Sequence, residues 1–195
     1  MSHDTWIHGL VRPLVVPLVE SPVTPNHVTT LRLGFGLLAA AVCALGDERS
    51  RAIGAGLFVV ALLLDRADGI LARLSGKTSA FGHRYDLVSD AIGNATIFVG
   101  LGIGLGGWAV PLGIAAGASV VVILALVLAA ERAGGERAAE LPAFARFDAD
   151  DAMIAVPVAV WLGWSAPLVW LAGLVTPVVA VFFALRHRRL ARPRA

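Results

Sequence analysis

Charge is scarce in this chain. Of its 195 residues only 15% are Asp, Glu, Lys or Arg, while 57% are hydrophobic. Soluble domains carry about a quarter of their residues as charges, so the composition, with a mean hydropathy of +0.78, argues against that class and for an integral membrane protein. Lysine is nearly absent, Lys77 being the only one, a bias toward arginine that a GC-rich genome produces as readily as function does. The single cysteine, Cys43, lies within an apolar run, which excludes a disulfide framework and reads as a small core hydrophobe. A net charge of +2 gives no reason to expect a nucleic-acid polymer as partner. The first apolar segment lacks a positive leading region and a small-residue cleavage site, so no cleaved signal peptide is expected. Without internal repeats or low-complexity stretches, the expectation is one all-α membrane domain over residues 1–195.

What the chain has in plenty is apolar runs of spanning length. The spacing predicts six transmembrane helices, over about 29–46, 52–74, 82–105, 109–130, 151–163 and 167–185, the fifth bent at Pro157. Residues 3–19 place Trp6, Ile7, Leu10, Val11, Leu14 and Val15 at helical spacing but are interrupted by Pro13 and Pro17, which predicts an N-terminal interfacial amphipathic helix. The turn-forming residues 21–30 follow, with Asn26 or Thr29 as candidate cap for the first span.

Six spans put both termini on one side, and the basic residues identify that side. Arg12, Arg32, Arg73, Lys77, Arg84, Arg132, Arg137, Arg146 and the tail arginines fall there, against Arg49 and Arg51 opposite. By the positive-inside rule the termini, the 75–81 turn and the 131–150 loop face the cytoplasm. Trp108 and Trp164 then mark the outer interface.

Four aspartates, Asp65, Asp68, Asp86 and Asp90, conflict with this apolar setting. Counting from the outer ends at about 1.5 Å per residue puts Asp65 and Asp68 roughly 20 and 24 Å in, and Asp90 and Asp86 roughly 25 and 31 Å in. Residues three or four apart share a helix face, so two adjacent antiparallel helices bring the four carboxylates together at one depth, in the cytoplasmic half of the membrane. Each costs about 2.5–3.5 kcal/mol there, and their mutual repulsion adds to that. Cations or protons must offset the charge; hard oxygen ligands without Cys or a paired-His motif suit Mg²⁺ or Mn²⁺ rather than zinc. Gly69 and Gly82 remove side chains where a ligand or a neighbouring helix comes close. Arg73 stands where a guanidinium holds an anion or snorkels.

Together Asp65, Asp68-Gly69 and Ala72-Arg73, then eight residues, then Gly82, Asp86 and Asp90 match DxxDGxxAR followed by GxxxDxxxD at every specified position. This pattern resembles the signature of the CDP-alcohol phosphotransferases. The firm match covers Asp65 to Asp90; the Pro25-Asn26 to Arg32 stretch resembles the family's entry into its first helix more loosely, and beyond Asp90 only hydropathy agrees. The resemblance implies transfer of a substituted phosphate from a CDP-linked lipid or alcohol to an acceptor hydroxyl, with release of CMP, in phospholipid synthesis. It also implies two Mg²⁺ or Mn²⁺ ions on Asp65, Asp68 and Asp86, with Asp90 sharing a metal and acting as general base. It further implies a nucleotide and pyrophosphate site of Asp65, Asp68, Gly69, Ala72, Arg73 and Gly82, a homodimer, and a bacterial inner membrane with the site facing the cytoplasm.

Outside the signature, Lys77, His83, Arg84, Arg132, Arg137 and Arg146 are candidates for an acceptor phosphate, against the plain reading of a positive-inside loop. Asp148, Asp150 and Asp151 either cap the fifth span or bind a hydroxyl-rich or cationic head group. Arg66 within the second span is expected to be paired or buried, and Asn94 to orient a ligand or bridge helices. The acceptor stays open among inositol phosphate, glycerol phosphate, serine and other alcohols. The alternative from another class is a cation transporter or channel using the same carboxylates, disfavoured by the few polar residues in 52–64 and 95–107. A lipid-binding protein without catalysis is the third reading, which the intact aspartates disfavour.

Overall fold

The structure is a computed structural model that describes residues 6–134 and 153–190. The regular structure among them is all helical, without a strand: α1 Trp6–Val19, α2 Pro25–Cys43, α3 Glu48–Ser75, α4 Ala80–Leu105, α5 Ala109–Gly134, α6 Ala155–Trp161 and α7 Ser165–Leu190. Three stretches, Ala80–Leu105, Ala109–Ala129 and Ser165–Leu185, are long and apolar enough to cross a bilayer. At 28 residues, α3 is about 42 Å long, and it carries Asp65, Arg66, Asp68 and Arg73 in its last half.

Local chemistry sets the helix ends. The cap of α2 is Thr24, in extended conformation, rather than Asn26 or Thr29, because Pro25 fits the first helical position, where its fixed φ suits and no N–H is needed. The Thr24 N–H donates to His27 Nδ1 at 3.3 Å, and Asn26 and Thr29 are left to face inward. Asp47 caps α3 by accepting from the Ser50 N–H at 2.9 Å, so that helix starts at Glu48, a turn before the expected residue 52. It stops at Gly76, whose φ of +66° suits glycine. Ser79 caps α4, accepting from the Gly82 N–H at 2.9 Å. The expected proline interruptions do not break α1: Pro13 and Pro17, four residues apart, lie on one exposed face, while Val11 and Val15 pack against Val28, Ile70 and Leu71. Of the expected fifth span, 151–163, Asp151 and Ala152 lie outside the described residues, and the helix there covers Ala155–Trp161.

One feature of the packing departs from the sequence expectation. Helices α3 and α4, consecutive in the chain, hardly touch, because α2 lies between them and packs against both. Small residues make that possible: a side chain at Gly100 would run into the Ala40 backbone, and one at Gly104 into the Cys43 carbonyl. Without side chains the two backbones approach as close-packed membrane helices do. Away from the aspartates the interior is filled by Ala39, Cys43, Phe58, Ile97 and Leu101. Helices α5 and α7 close the far side of α4, and α6 packs on α3. The faces of α7 bearing Leu171, Leu174, Val178, Val181 and Phe182 are exposed, as are Trp108 and Trp164 in the turns.

Candidate metal centre

The site forms where α3 ends and α4 begins. Counted from Ser75 and Ala80, Asp68 and Asp86 lie about 10 Å inside the helix ends and Asp65 and Asp90 about 15 Å inside. Depth therefore pairs Asp68 with Asp86, and Asp65 with Asp90. Carboxylate oxygens of Asp65, Asp68 and Asp86 lie within 4.8 Å of one another. On an octahedral Mg²⁺ adjacent ligand oxygens are about 3 Å apart and opposite ones about 4.2 Å, so the three carboxylates draw together to share an ion.

The cluster is held from α2. Asp68, 4% exposed, accepts the Thr29 hydroxyl on Oδ2 at 2.8 Å. Arg32 reaches between α3 and α4: Nη1 contacts Asp65 Oδ1 and lies 3.1 Å from Asp90 Oδ1 and 3.3 Å from Asp86 Oδ1. Its Nη2 donates to the Asp86 carbonyl at 2.9 Å. Despite the nearby guanidinium, Asp86 Oδ1 is buried and accepts no hydrogen bond. A carboxylate oxygen that accepts no hydrogen bond, beside two others, is an available ligand atom, and the all-oxygen set suits a hard divalent cation. The residues fit Mg²⁺ or Mn²⁺.

A cavity of about 220 Å³ opens beside the cluster, lined by Asn26 and Thr29 from α2, Asp68, Gly69, Ala72 and Arg73 from α3, and Lys77, Gly82, His83 and Asp86 beyond it. Most of the expected nucleotide set meets here. Neither site glycine packs on a neighbouring backbone: a Cβ at Gly69 would meet only the Arg73 guanidinium, at 3.7 Å, and one at Gly82 the side chains of Asn26 and Ser79, both at 3.1 Å. Their missing side chains leave room in the cavity rather than serving helix contact. Asp65 and Asp90 instead line a second cavity of about 20 Å³ with Arg32, Ser89 and Asn94. Asp90 is not one of the three grouped carboxylates, but Arg32 Nη1 joins it to Asp65 and Asp86.

The acceptor candidates divide. Lys77 and His83 line the larger cavity, and Arg84 is exposed outside its lining. Arg137, Arg146, Asp148, Asp150 and Asp151 lie outside the described residues, as does the side chain of Arg132. Arg66 is half-buried. The sequence reading missed Arg32, Thr29 and Asn26 as parts of the site, having counted Arg32 as an interfacial cation. The signal was present: an arginine inside an expected span, one turn from a threonine, is a functional candidate by default.

A family profile described as CDP-alcohol phosphatidyltransferase matches residues 22–184. An 89-residue stretch is 33% identical to the bifunctional IPC transferase and DIPP synthase of Rubrobacter xylanophilus, covering 46% of this chain and 20% of that protein. An 88-residue stretch is 35% identical to the archaetidylinositol phosphate synthase of Pyrococcus horikoshii, covering 45% of each. Each match spans less than half of the relative's length. In fold, the chain is similar to Mycobacterium tuberculosis phosphatidylinositol phosphate synthase with CDP-DAG bound, with a TM-score of 0.75 at 19% identity over 96% of this chain and 99% of that one. The same enzyme in complex with manganese and citrate gives a TM-score of 0.71 at 19% identity, over 94% and 90% of the two chains.

Proposed function

This chain belongs to the CDP-alcohol phosphatidyltransferase family, and we propose that it transfers a phosphatidyl-type group from a CDP-linked lipid to the hydroxyl of a phosphorylated inositol, releasing CMP. The observation that carries the reading is the convergence of Asp65, Asp68 and Asp86 beside a cavity lined by Arg73 and Lys77. Asp65, Asp68 and Asp86 are the ligands for Mg²⁺ or Mn²⁺, with Asp90 completing a second position. The Asp86 oxygen that accepts no hydrogen bond supports this, as does the manganese in the similar structure. Bound there, divalent ions neutralise charge on the phosphoryl oxygens and on departing CMP.

The chain's own groups do the rest. Gly69, Ala72 and Gly82 leave space for the nucleotide and pyrophosphate, and Arg73 pairs with a phosphate oxygen. The acceptor oxygen attacks the β-phosphorus, the bond from that phosphorus to the bridging oxygen breaks, and CMP leaves with the bond's electrons. Asp90 takes the acceptor's proton. The acceptor's own phosphate is met by Lys77 and Arg84 and by Arg132, Arg137 and Arg146, whose positive charge suits it. Inositol phosphate is favoured because the names of the Pyrococcus and Mycobacterium proteins both specify inositol phosphate lipids. The setting is a single membrane domain of six spans with α1 at the interface and the site on the cytoplasmic side of a bacterial inner membrane. There CDP-linked donors are available, and a homodimer is the family's form.

The test is CMP release by the purified protein from CDP-diacylglycerol with Mn²⁺ and a panel of alcohols. Inositol phosphate should give CMP and a phosphorylated inositol lipid in equal amounts. A preference for serine or glycerol phosphate would overturn the acceptor, and no CMP with any alcohol the activity.

A further inference from the structure

The family signature accounts for four aspartates and omits the group that touches three of them. The Arg32 side chain, 5% exposed, engages Asp65, Asp86 and Asp90 through Nη1 and the Asp86 carbonyl through Nη2. A guanidinium stays charged at any pH a protein survives, and its donors form a rigid fork. A permanent cation therefore stands among the carboxylates assigned to metal.

The geometry points to Arg32 as an internal counter-cation that shares the aspartate cluster with the divalent ions and makes their loading sequential, an inference that rests on the metal reading above. The first ion takes Asp68, the Asp86 oxygen that lies 3.3 Å from Nη1 but accepts no hydrogen bond, and an oxygen of Asp65, on the side of the larger cavity. A second ion on the Asp90 side needs oxygens of Asp65 and Asp90 that accept hydrogen bonds from the guanidinium, and so must displace it. The small cavity gives the guanidinium somewhere to move. Its volume of about 20 Å³ is room for about one water, enough for one Nη to enter. Ser89 and Asn94 line it, and Ser89 Oγ is buried without a hydrogen-bond partner, a neutral acceptor for the displaced fork. Before metal binds, the same charge ties α3 and α4, which hardly touch, to α2.

Mn²⁺ titration of the purified full-length protein, with free Mn²⁺ read by electron paramagnetic resonance, tests this. Wild type should show one tight and one weaker site. Arg32→Gln should tighten the second site about tenfold or more, since a unit charge a few ångströms away perturbs binding at least that much. Arg32→Lys, which keeps the charge, should preserve the gap. An unchanged second site in Arg32→Gln, or the same behaviour in Arg32→Lys as in Arg32→Gln, overturns the inference while leaving the metal reading intact. Wild type that binds no Mn²⁺ overturns both. If Arg32→Gln fails to fold without metal, recovery in Mn²⁺ supports the role, and failure in Mn²⁺ as well overturns it, since a loaded cluster needs no guanidinium charge.

Discussion

Thr29→Val removes one hydroxyl and almost no volume, which makes it a sharp probe of how the cluster is held. Thr29 is 2% exposed, and its Oγ1 lies 2.8 Å from Asp68 Oδ2 and 3.1 Å from the Pro25 carbonyl. The hydroxyl has one proton, and the shorter contact, to a charged acceptor, takes it. Such a bond contributes about 1.5–3 kcal/mol net, and about 1.4 kcal/mol is a factor of ten in binding. A carboxylate stripped of its donor has more charge to offer a metal, which works the other way. Losing the partner that orients a ligand nonetheless costs about ten- to a hundredfold in metal affinity or activity, so orientation wins. The expected result is Mn²⁺ affinity lower by about ten- to a hundredfold in Thr29→Val, with Thr29→Ser near wild type. Equal or tighter binding in Thr29→Val would refute the reasoning that α2 positions Asp68.

Asp90→Asn should cut CMP release by about 10²–10⁴-fold, the contribution of a positioned base, while the tight Mn²⁺ site changes little; parallel loss of that site would make Asp90 a ligand of the first ion instead. Gly82→Leu places a side chain from a Cβ 3.1 Å from Asn26 Oδ1 and Ser79 Oγ into the cavity and should raise KM for the CDP-linked donor, so an unchanged KM would place the donor elsewhere. Gly100→Leu should lower stability in a thermal melt by about 1–3 kcal/mol or more through overpacking against the Ala40 backbone; an unchanged Tm would mean that the α2–α4 seam is looser than described. Asp47→Ala should lower Tm without changing kcat. The Ser50 hydroxyl and N–H hold the Asp47 carboxyl below the usual carboxylate range, so its stabilisation is full above the unfolded-state value and is lost as pH falls through the folded one. The Tm gap between Asp47→Ala and wild type should therefore close in acid, and a gap that persists there would contradict the cap.

The sequence made the helices and the aspartates legible because both are local signals. Apolar runs located α2 to α5 and α7 to within a turn or so, and the spacing of Asp65, Asp68, Asp86 and Asp90 put each pair on one face. Hydropathy does not encode which helices are neighbours. The reading placed α3 directly against α4, whereas α2 separates them. That arrangement is decided by small residues, Gly36 against Gly93 and Gly100 against Ala40, whose effect appears only when two backbones meet. Arg32 was obscured for a related reason. A positive-inside count treats each arginine as a charge at an interface, while Arg32 is 4% exposed among carboxylates from two other helices. The cap of α2 was displaced because the weight given to Asn26 and Thr29 overlooked Pro25 at the first helical position. Each side chain, once relieved of capping, lines the cavity.

The most direct test of the account is the position of Mn²⁺ in crystals of this protein, located by anomalous scattering at the manganese edge. The account predicts a peak bounded by the carboxylates of Asp65, Asp68 and Asp86, absent in Asp68→Asn crystals grown in the same Mn²⁺. A peak that survives in Asp68→Asn, or one that lies away from these three residues, would contradict it.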